Sequence, residues 1–231
     1  MSNTNMPKST HNGTNPKSRV LVVEDHAVVR DGFVALINRE KDLEVCGTAD
    51  SCSDAMKSIA STKPDLIVLD LLLREGDGID LLKSLKAMYP SLASLVISMQ
   101  DEELYAERAL KAGAKGYIMK HSATDEFLDA IRAVLAGEIY VSRKMNIRLL
   151  HKLAGGKTSN EDPTPQTLTD RELQVYQMIG AGMNTRDMAV QLGISPKTIE
   201  THRENIKHKL NLRDGIALIQ SATHWVQTRP R

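Results

Sequence analysis

The sequence has few cysteines and no long apolar run, and each of these absences excludes a class of protein. Cys46 and Cys52 lack the spacing of a metal site, and so low a cysteine content fits a reducing compartment. No apolar stretch approaches the roughly 20 residues that a membrane-spanning helix needs. Residues 1–18 are rich in Ser, Thr, Asn, Pro and Gly and contain no apolar signal-peptide core. They predict a disordered tail on a cytoplasmic protein with no membrane partner.

A phosphate-binding loop is absent as well. Gly155-Gly-Lys-Thr lacks the earlier glycine of that motif and follows no strand-like run. The residues around it, Ala154–Pro165, have no apolar period and are rich in Gly, Pro and polar residues, which is typical of a flexible linker. With a short helix expected just before them, residues 142–165 are predicted to separate two domains.

Charge differs between the two predicted domains. Residues 19–141 carry 14 basic and 21 acidic side chains, a net charge of −7, whereas residues 166–231 carry 9 basic and 6 acidic ones, a net charge of +3. An acidic domain followed by a basic one indicates different partners, with nucleic acid a candidate for the second. A charge of +3 is also unremarkable for a domain of this size, so charge alone does not decide the function.

Strand-like and helical patterns alternate through residues 19–141. The strand-like runs fall at 19–24, 43–47, 65–69, 94–98 and 116–119, and the helical patterns fall at 28–38, 52–61, 78–88, 102–112 and 124–136. Short connections between such elements require parallel strands with right-handed crossovers. The pattern predicts an α/β domain with a doubly wound, five-stranded parallel sheet.

Polar side chains lie at the ends of four of these runs. Glu24 and Asp25 close the first run, Asp70 the third, Ser98 the fourth and Lys120 the fifth. Because the carboxyl ends of parallel strands meet at one edge of a sheet, we expect these side chains to share one crevice. Carboxylates, a hydroxyl and an ammonium suit a divalent metal and a phosphoryl group, toward which an aspartate can act as nucleophile.

Residues 166–231 predict a small helical domain that binds DNA. Thr169 and Glu172 form a capping box at the start of one helix, Gly193 predicts a tight turn, and Ser195 and Pro196 begin the next helix. Two short helices joined by a glycine turn indicate a helix-turn-helix, whose second helix enters the major groove. A generic helical domain is the alternative.

The second helix of this motif offers candidate contacts to DNA. Arg203 suits the reading of guanine, and Glu200 or Glu204 can accept a hydrogen bond from cytosine. Basic and hydroxyl side chains beside them suit phosphate contacts, which position the protein without reading sequence. The candidate DNA-binding residues are Lys197, Thr198, Glu200, Thr201, Arg203, Glu204, Lys207 and Lys209.

These motifs make the chain resemble the NarL/FixJ-type two-component response regulators. Residues 19–141 resemble the receiver domain of that family. Leu168-Thr-Asp-Arg-Glu and Ile194-Ser-Pro-Lys-Thr-Ile-Glu-Thr-His-Arg-Glu resemble its LuxR-type helix-turn-helix. The resemblance covers about nine tenths of the chain and includes two independent sets of motifs in the usual order.

The resemblance implies a role for each polar residue of the crevice. Asp70 matches the phosphoacceptor, which a histidine kinase supplies with phosphate. The implied Mg²⁺ site consists of Glu24, Asp25, Asp70 and the backbone carbonyl of Leu72; Ser98 and Lys120 match the phosphoryl-binding residues, and Tyr117 matches the switch position.

The resemblance also implies partners. The protein is expected to bind double-stranded DNA and to form a homodimer when phosphorylated, with the last helix, Asp214–Trp225, as a dimer surface. The alternative is that the apolar residues of this helix, Ile216, Leu218, Ile219 and Trp225, close the core of their own domain. The protein is not expected to be an enzyme, beyond assisting its own phosphorylation and dephosphorylation.

Three positions depart from the family pattern. Glu24 stands where aspartate is common, and its longer side chain suits a contact to metal through water. Arg74 and Glu75 stand where proline and glycine are usual, which puts the shape of the loop after Asp70 in doubt. The departures leave open an alternative, in which the receiver is a protein-interaction module and DNA binding is independent of phosphorylation. An aspartate-dependent phosphatase fits less well, because Leu72 stands where a second acid is needed.

Two further expectations concern neighbouring histidines and the resting state. His26, after the acidic pair, is interpreted as a loop-packing residue rather than a metal ligand. His202, on the recognition helix, is interpreted as a packing residue or a phosphate contact rather than a metal ligand. For the resting protein we hypothesise that the receiver masks the recognition helix or withholds the dimer surface Asp214–Trp225. Phosphorylation would then shift the population toward a free DNA-binding domain.

Overall fold

The computed structural model describes residues 16–73, 75–154 and 164–228. Residues 1–15 of the predicted tail, Arg74, residues 155–163 of the predicted linker and the last three residues lie outside this range. Within the described ranges, no helix combines the length and the apolar character that crossing a bilayer requires.

The N-terminal domain is built on one parallel sheet. Its strands are β1 (Ser18–Val23), β2 (Leu43–Ala49), β3 (Leu66–Leu69), β4 (Ala93–Ser98) and β5 (Gly116–Met119). They lie in the order β2-β1-β3-β4-β5, and each neighbouring pair is parallel. The strand order reverses between β1 and β3, which opens a crevice beside their carboxyl ends. The predicted five-stranded, doubly wound fold is confirmed.

Helices cover both faces of this sheet. They are α1 (Ala27–Asn38), α2 (Cys52–Thr62), α3 (Gly78–Met88), α4 (Glu102–Ala112) and α5 (Thr124–Leu135). On β1, Leu21 and Val23 belong to the buried cluster of α2, α3 and α4, whereas Val20 and Val22 belong to that of α1 and α5. Because both faces are covered, the strand reads as a continuous apolar run rather than as an alternating pattern.

The start of β1 corrects the predicted tail. Ser18 is already the first residue of the strand, and its N–H donates to the carbonyl oxygen of Asp42 at 2.8 Å. The Lys17 ammonium also donates to the carbonyl oxygens of Glu40 and Leu43. Pairing with the segment around β2 therefore orders residues that their composition alone assigns to the tail.

The first half of the predicted linker is a helix that docks on the receiver. Helix α6 (Arg143–Leu153) begins after Ser142, whose hydroxyl accepts from the N–H of Met145. Met145 is buried, and Lys144 and Arg148 pair with Glu103 on α4. Residues 142–153 therefore pack with the N-terminal domain. The short helix expected in this segment is present.

The C-terminal domain consists of helices around its own core. After a 3₁₀ turn at Pro165–Thr167 come α7 (Asp170–Gly180), α8 (Thr185–Leu192), α9 (Pro196–Lys209) and α10 (Gly215–Gln227). Thr169 and Glu172 form the predicted capping box of α7. Gly193 ends α8 with a φ of +63°, a left-handed conformation that favours glycine, and the Ser195 hydroxyl caps α9. The α8–α9 pair is the predicted helix-turn-helix.

Candidate functional site

Asp70 lies just beyond β3, in the interior of the sheet, and both of its carboxylate oxygens are engaged. Oδ2 is 2.7 Å from the Lys120 ammonium, and Oδ1 accepts hydrogen bonds from the Ser98 hydroxyl at 3.1 Å and the Leu72 N–H at 3.2 Å. Asp70 is only 3% exposed. The structure thus brings Asp70, Ser98 and Lys120 together, in the crevice where the sequence predicts them.

The backbone explains this convergence. Sheet hydrogen bonds continue past the strand ends, from the Asp70 N–H to the Val23 carbonyl at 3.0 Å and from the Lys120 N–H to the Ser98 carbonyl at 2.9 Å. Gly78 lets the start of α3 approach the loop after Asp70, because a Cβ there would lie 2.6 Å from the Leu71 Cα. The side chains are therefore held by the rigid edge of the sheet and by a closely packed turn.

Glu24 and Asp25 have different surroundings at the end of β1. Glu24 is 1% exposed, and its Oε2 is 2.5 Å from the Lys120 ammonium, which therefore bridges Glu24 and Asp70. Asp25 Oδ1 lies 2.8 Å from His26 Nδ1, which is also 3.1 Å from Glu24 Oε1. The interpretation of His26 as a packing residue is corrected: the ring is largely exposed and contacts both carboxylates.

The donor set at this edge suits a hard divalent cation. Glu24, Asp25 and His26 can each offer one ligand atom, and these atoms lie within 4.8 Å of one another. Carboxylate oxygens are the ligands that Mg²⁺ prefers, usually from one or two side chains with water completing the shell. Lys120 contacts both Glu24 and Asp70, while Asp25 contacts His26, so each of the three carboxylates already has a polar partner.

Burial and pairing shape the protonation of the site. Burial raises the pKa of Asp70, and the neighbouring Lys120 ammonium opposes this shift without cancelling it. Burial lowers the pKa of Lys120, but its contacts with Asp70 and Glu24 outweigh this effect and leave the pKa above its ordinary value. Lys120 therefore stays charged at neutral pH, where it can hold phosphoryl oxygens.

Tyr117 is fully buried on β5 and points toward the loop after β4. Its hydroxyl donates to the Gln100 carbonyl oxygen at 2.6 Å, and burial raises its pKa well above the ordinary value. Gln100 is absent from the sequence-based candidates. In the sequence, only its position two residues after Ser98 could have indicated that Gln100 lies near the site.

The recognition helix α9 carries an exposed polar face. Glu200 accepts a hydrogen bond from the Thr185 hydroxyl on α8 at 2.8 Å and lies 3.5 Å from Arg203. Lys207 pairs with Glu204 at 2.8 Å. The exposed candidates are Lys197, Thr198, Glu200, Thr201, Glu204 and Lys209, while Arg203 and Lys207 are partly exposed.

Two residues of α9 contact the domain core. The Lys209 ammonium lies 2.7 Å from the buried carboxylate of Glu172 on α7, so this candidate phosphate contact is engaged within the protein. His202 has a buried Nδ1, and burial lowers its pKa. The interpretation of His202 as a packing residue agrees with this position.

Helix α10 divides its apolar residues between core and solvent. Leu218 and Ala222 are fully buried, and the Trp225 ring packs at 5.4 Å from that of Tyr176. Ile216 is 65% exposed and Ile219 is 47% exposed. One face of the helix closes the domain, and the other presents an apolar surface to solvent.

The two domains meet through polar contacts. Arg108 on α4 pairs with Asp170 at 2.9 Å and donates to the carbonyl oxygens of Leu168 and Gln166 at 2.7 and 3.1 Å. Lys83 on α3 lies 3.2 Å from the same Asp170. The N-terminus of α7 is therefore bound by two cations of the receiver.

Two glutamines on α7 extend this interface. Gln174 donates to Asp77 at 2.7 Å, and Gln177 donates to the Gln100 side chain at 2.9 Å. Beside them lies a cavity of about 810 Å³, whose lining includes Trp225. The hypothesis that the receiver masks the recognition helix is corrected, because the receiver contacts α7 and leaves the outer face of α9 exposed. Ile216 and Ile219 are also exposed, so these two residues of the predicted dimer surface are not withheld, whereas Trp225 lines the cavity beside the receiver.

Comparisons with known proteins match both halves of the chain. Residues 20–132 match the family described as response regulator receiver domain, and residues 166–222 match the bacterial regulatory proteins of the luxR family. The oxygen regulatory protein NreC of Staphylococcus epidermidis is 34% identical over 210 residues, which cover 88% of this chain and 96% of that protein. NreC of Staphylococcus carnosus is 32% identical with the same coverage.

Solved structures show similar folds. RcsB from Salmonella enterica serovar Typhimurium, bound to the promoter rprA with the phosphomimetic BeF₃⁻, matches with a TM-score of 0.65 at 23% identity, over 90% of this chain and 99% of that chain. A LuxR-family response regulator from Aurantimonas matches 60% of this chain and 99% of its own, with a TM-score of 0.56 at 29% identity.

Proposed function

Because the chain belongs to the DNA-binding response regulators that join a receiver domain to a LuxR-type helix-turn-helix, we propose that Asp70 is its phosphoacceptor and that phosphorylation there controls DNA binding. The observation that carries this proposal is the buried Asp70 carboxylate, with Lys120 on one oxygen and Ser98 on the other. A receiver domain implies a histidine kinase as partner. The family consists of transcription regulators rather than metabolic enzymes, which argues against a phosphatase.

The proposed reaction transfers a phosphoryl group from a kinase phosphohistidine to Asp70. A carboxylate oxygen of Asp70 forms a bond to phosphorus as the phosphorus–nitrogen bond breaks, and the released imidazole nitrogen takes up a proton. Lys120 offsets negative charge on the phosphoryl oxygens, and the Ser98 hydroxyl donates to one of them. The product is an acyl phosphate on Asp70.

Receiver domains generally bind Mg²⁺ at this acidic pocket, where the ion reduces repulsion between the carboxylates and the incoming phosphoryl group. We propose that Asp25, Asp70 and the Leu72 carbonyl contact it directly and that Glu24 contacts it through water. The longer side chain of Glu24, which stands where aspartate is common in the family, supports its indirect role. Tyr117 is proposed as the switch residue, since its hydroxyl contacts the loop that follows Ser98.

DNA binding is proposed to use the exposed face of α9. Arg203, Glu200 and Glu204 are proposed to read bases, and Lys197, Thr198, Thr201 and Lys207 to meet the backbone or groove edge. The contact between Lys209 and Glu172 makes Lys209 the weakest of the candidate phosphate contacts. A homodimer through Ile216 and Ile219 would bring two such helices to adjacent half-sites, in the cytoplasm where the DNA lies.

The experiment that tests the proposal is phosphorylation with acetyl phosphate and Mg²⁺, followed by intact-protein mass. Asp70→Asn should abolish the phosphate adduct. Asp65→Asn is a matched control, because Asp65 precedes the same strand at its opposite end and accepts from the Arg19 N–H. An adduct that persists in Asp70→Asn would show that Asp70 is not the acceptor, whereas a wild-type protein that gains no adduct would favour the interaction-module alternative.

A further inference from the structure

Gln100 joins three parts of the molecule through three different polar groups. Its N–H donates to the Ser98 hydroxyl oxygen at 3.3 Å, and its carbonyl oxygen accepts from the Tyr117 hydroxyl at 2.6 Å. Its side-chain oxygen accepts from the Gln177 amide at 2.9 Å. One residue therefore contacts the phosphoryl site, the switch tyrosine and the DNA-binding domain.

Both polar atoms of the Gln177 side-chain amide form hydrogen bonds with the receiver. Its amide nitrogen donates to Gln100, and its amide oxygen accepts from the Tyr105 hydroxyl on α4 at 2.9 Å. Both hydrogen bonds cross between the domains, and both are partly buried. Removing one partner of such a bond leaves a polar group poorly satisfied, so the contact favours one arrangement of the domains.

We propose that Gln100 is the residue through which the phosphoryl site controls the DNA-binding domain, and that its hydrogen bond to Gln177 is the contact that phosphorylation releases. The inference rests on the proposed function, because it takes Asp70 as the acceptor. The Ser98 hydroxyl now bonds Asp70 Oδ1 and accepts from the Gln100 N–H. When it turns to a phosphoryl oxygen, it withdraws from Gln100, and the side chain that holds Gln177 shifts.

The released element is α7 rather than the recognition helix. The outer face of α9 is exposed while α7 is held. Phosphorylation therefore changes the orientations open to the DNA-binding domain, not the solvent access of its reading residues. A hydrogen bond of this kind shifts a two-state population by about 2- to 10-fold.

Trp225 supplies a direct readout of this equilibrium. It is the single tryptophan of the chain, and it lines the cavity between the domains. Separation of the domains should make its fluorescence easier to quench with acrylamide. The measurement uses the full chain, with and without Mg²⁺ and beryllium fluoride, which mimics the phosphoryl group.

The wild-type protein should show greater quenching when beryllium fluoride and Mg²⁺ are added. Gln177→Ala and Gln100→Ala should increase quenching before beryllium fluoride is added, because the ratio of open to closed molecules should rise by about 2- to 10-fold. The further increase in quenching on addition of beryllium fluoride should then be smaller than in the wild type. Gln174→Ala is the matched control, since Gln174 lies one turn away on α7 and bonds Asp77 instead. Gln174→Ala should also favour separation of the domains, but its quenching should still increase when beryllium fluoride is added.

Several outcomes would contradict the proposal or the function on which it rests. A Gln177→Ala protein that matches the wild type in both resting quenching and response contradicts the proposal, as does a Gln174→Ala protein that loses the response equally. A wild-type protein that gains the phosphate adduct with acetyl phosphate but shows no change in quenching contradicts the proposal, whereas a wild-type protein that gains no adduct contradicts the proposed function. If Gln100→Ala fails to fold, Tyr105→Phe replaces it, because it removes only the hydroxyl that holds Gln177; unchanged resting quenching in that variant would also overturn the proposal.

Discussion

The ammonium of Lys209 lies 2.7 Å from Glu172, whose carboxylate also accepts the N–H of Thr169. Lys209→Ala would leave that buried carboxylate without its cation. Because the lysine itself is about one-third exposed, we expect a loss of about 1–2 kcal/mol in the unfolding free energy of the C-terminal domain, less than for a fully buried pair. Urea unfolding followed through Trp225 measures this loss.

Lys197→Ala provides the contrast for this variant. Lys197 is exposed in the first turn of α9, so its removal should leave the unfolding midpoint unchanged. It should weaken binding to all DNA sequences and reduce the salt dependence by roughly one phosphate contact. Equal stability of the two variants would contradict the structural role of Lys209.

The same carboxyl group predicts a dependence of stability on pH. Burial raises the pKa of Glu172, but Lys209 and the Thr169 N–H together lower it below the ordinary value of 4.5. A lowered native pKa means that the stabilisation is complete above pH 4.5 and is lost as the pH falls through the native value. The Trp225-monitored unfolding midpoint should therefore drop in this range, and Glu172→Gln should flatten that part of the profile.

At the scale of elements, α8 and α9 are joined by a polar network across the helix-turn-helix. Thr185 donates to Glu200, which lies 3.5 Å from Arg203. This network places Arg203, whose side chain is 19% exposed, beside the exposed Glu200. Arg203→Ala should relax preference at one base position, at a cost of about 1–3 kcal/mol on the preferred sequence. Binding to a panel of single-base variants checks this, and equal losses on specific and random DNA would exclude base reading.

The bounds of most elements could be predicted because the signals are local. Continuous apolar runs mark the strands, and Ser195, Thr169 and Gly193 mark helix ends through caps and turns. The docking of α6 on α4 could not be predicted in the same way. Glu103 reads as a solvated charge in sequence, and only the fold brings it beside Lys144 and Arg148.

At the scale of the whole molecule, the two cations that hold the N-terminus of α7 differ in strength. The Arg108 side chain is 14% exposed and bonds Asp170 and two carbonyl oxygens, whereas that of Lys83 is 52% exposed and pairs with Asp170 and Asp80. Arg108→Ala should therefore separate the domains more than Lys83→Ala. Small-angle scattering should detect a larger radius of gyration for Arg108→Ala, and equal radii would contradict this ranking.

The site and the interface differ in how far the sequence could reveal them. Asp70, Ser98 and Lys120 each follow an apolar strand, so parallel pairing alone predicts their convergence. Gln100 and Gln177 carry no such pattern, because surface glutamines are common and their meeting depends on the relative position of two domains. The sequence therefore could not show that the receiver contacts α7 rather than the recognition helix.

The strand order has a consequence for how a signal can leave the site. Asp70 follows β3, which has neighbours on both sides, whereas Tyr117 lies on β5 at the margin of the sheet and Lys120 directly follows that strand. The outer side of β5 pairs with the single residue Tyr140 rather than with another strand. Because local unfolding concentrates where backbone hydrogen bonds are fewer, amide protons near Asp70 should exchange with solvent more slowly than those of β5. If Asp70 is the phosphoacceptor, as proposed, the phosphoryl group is added beside an interior strand and the response passes through a strand at the margin of the sheet.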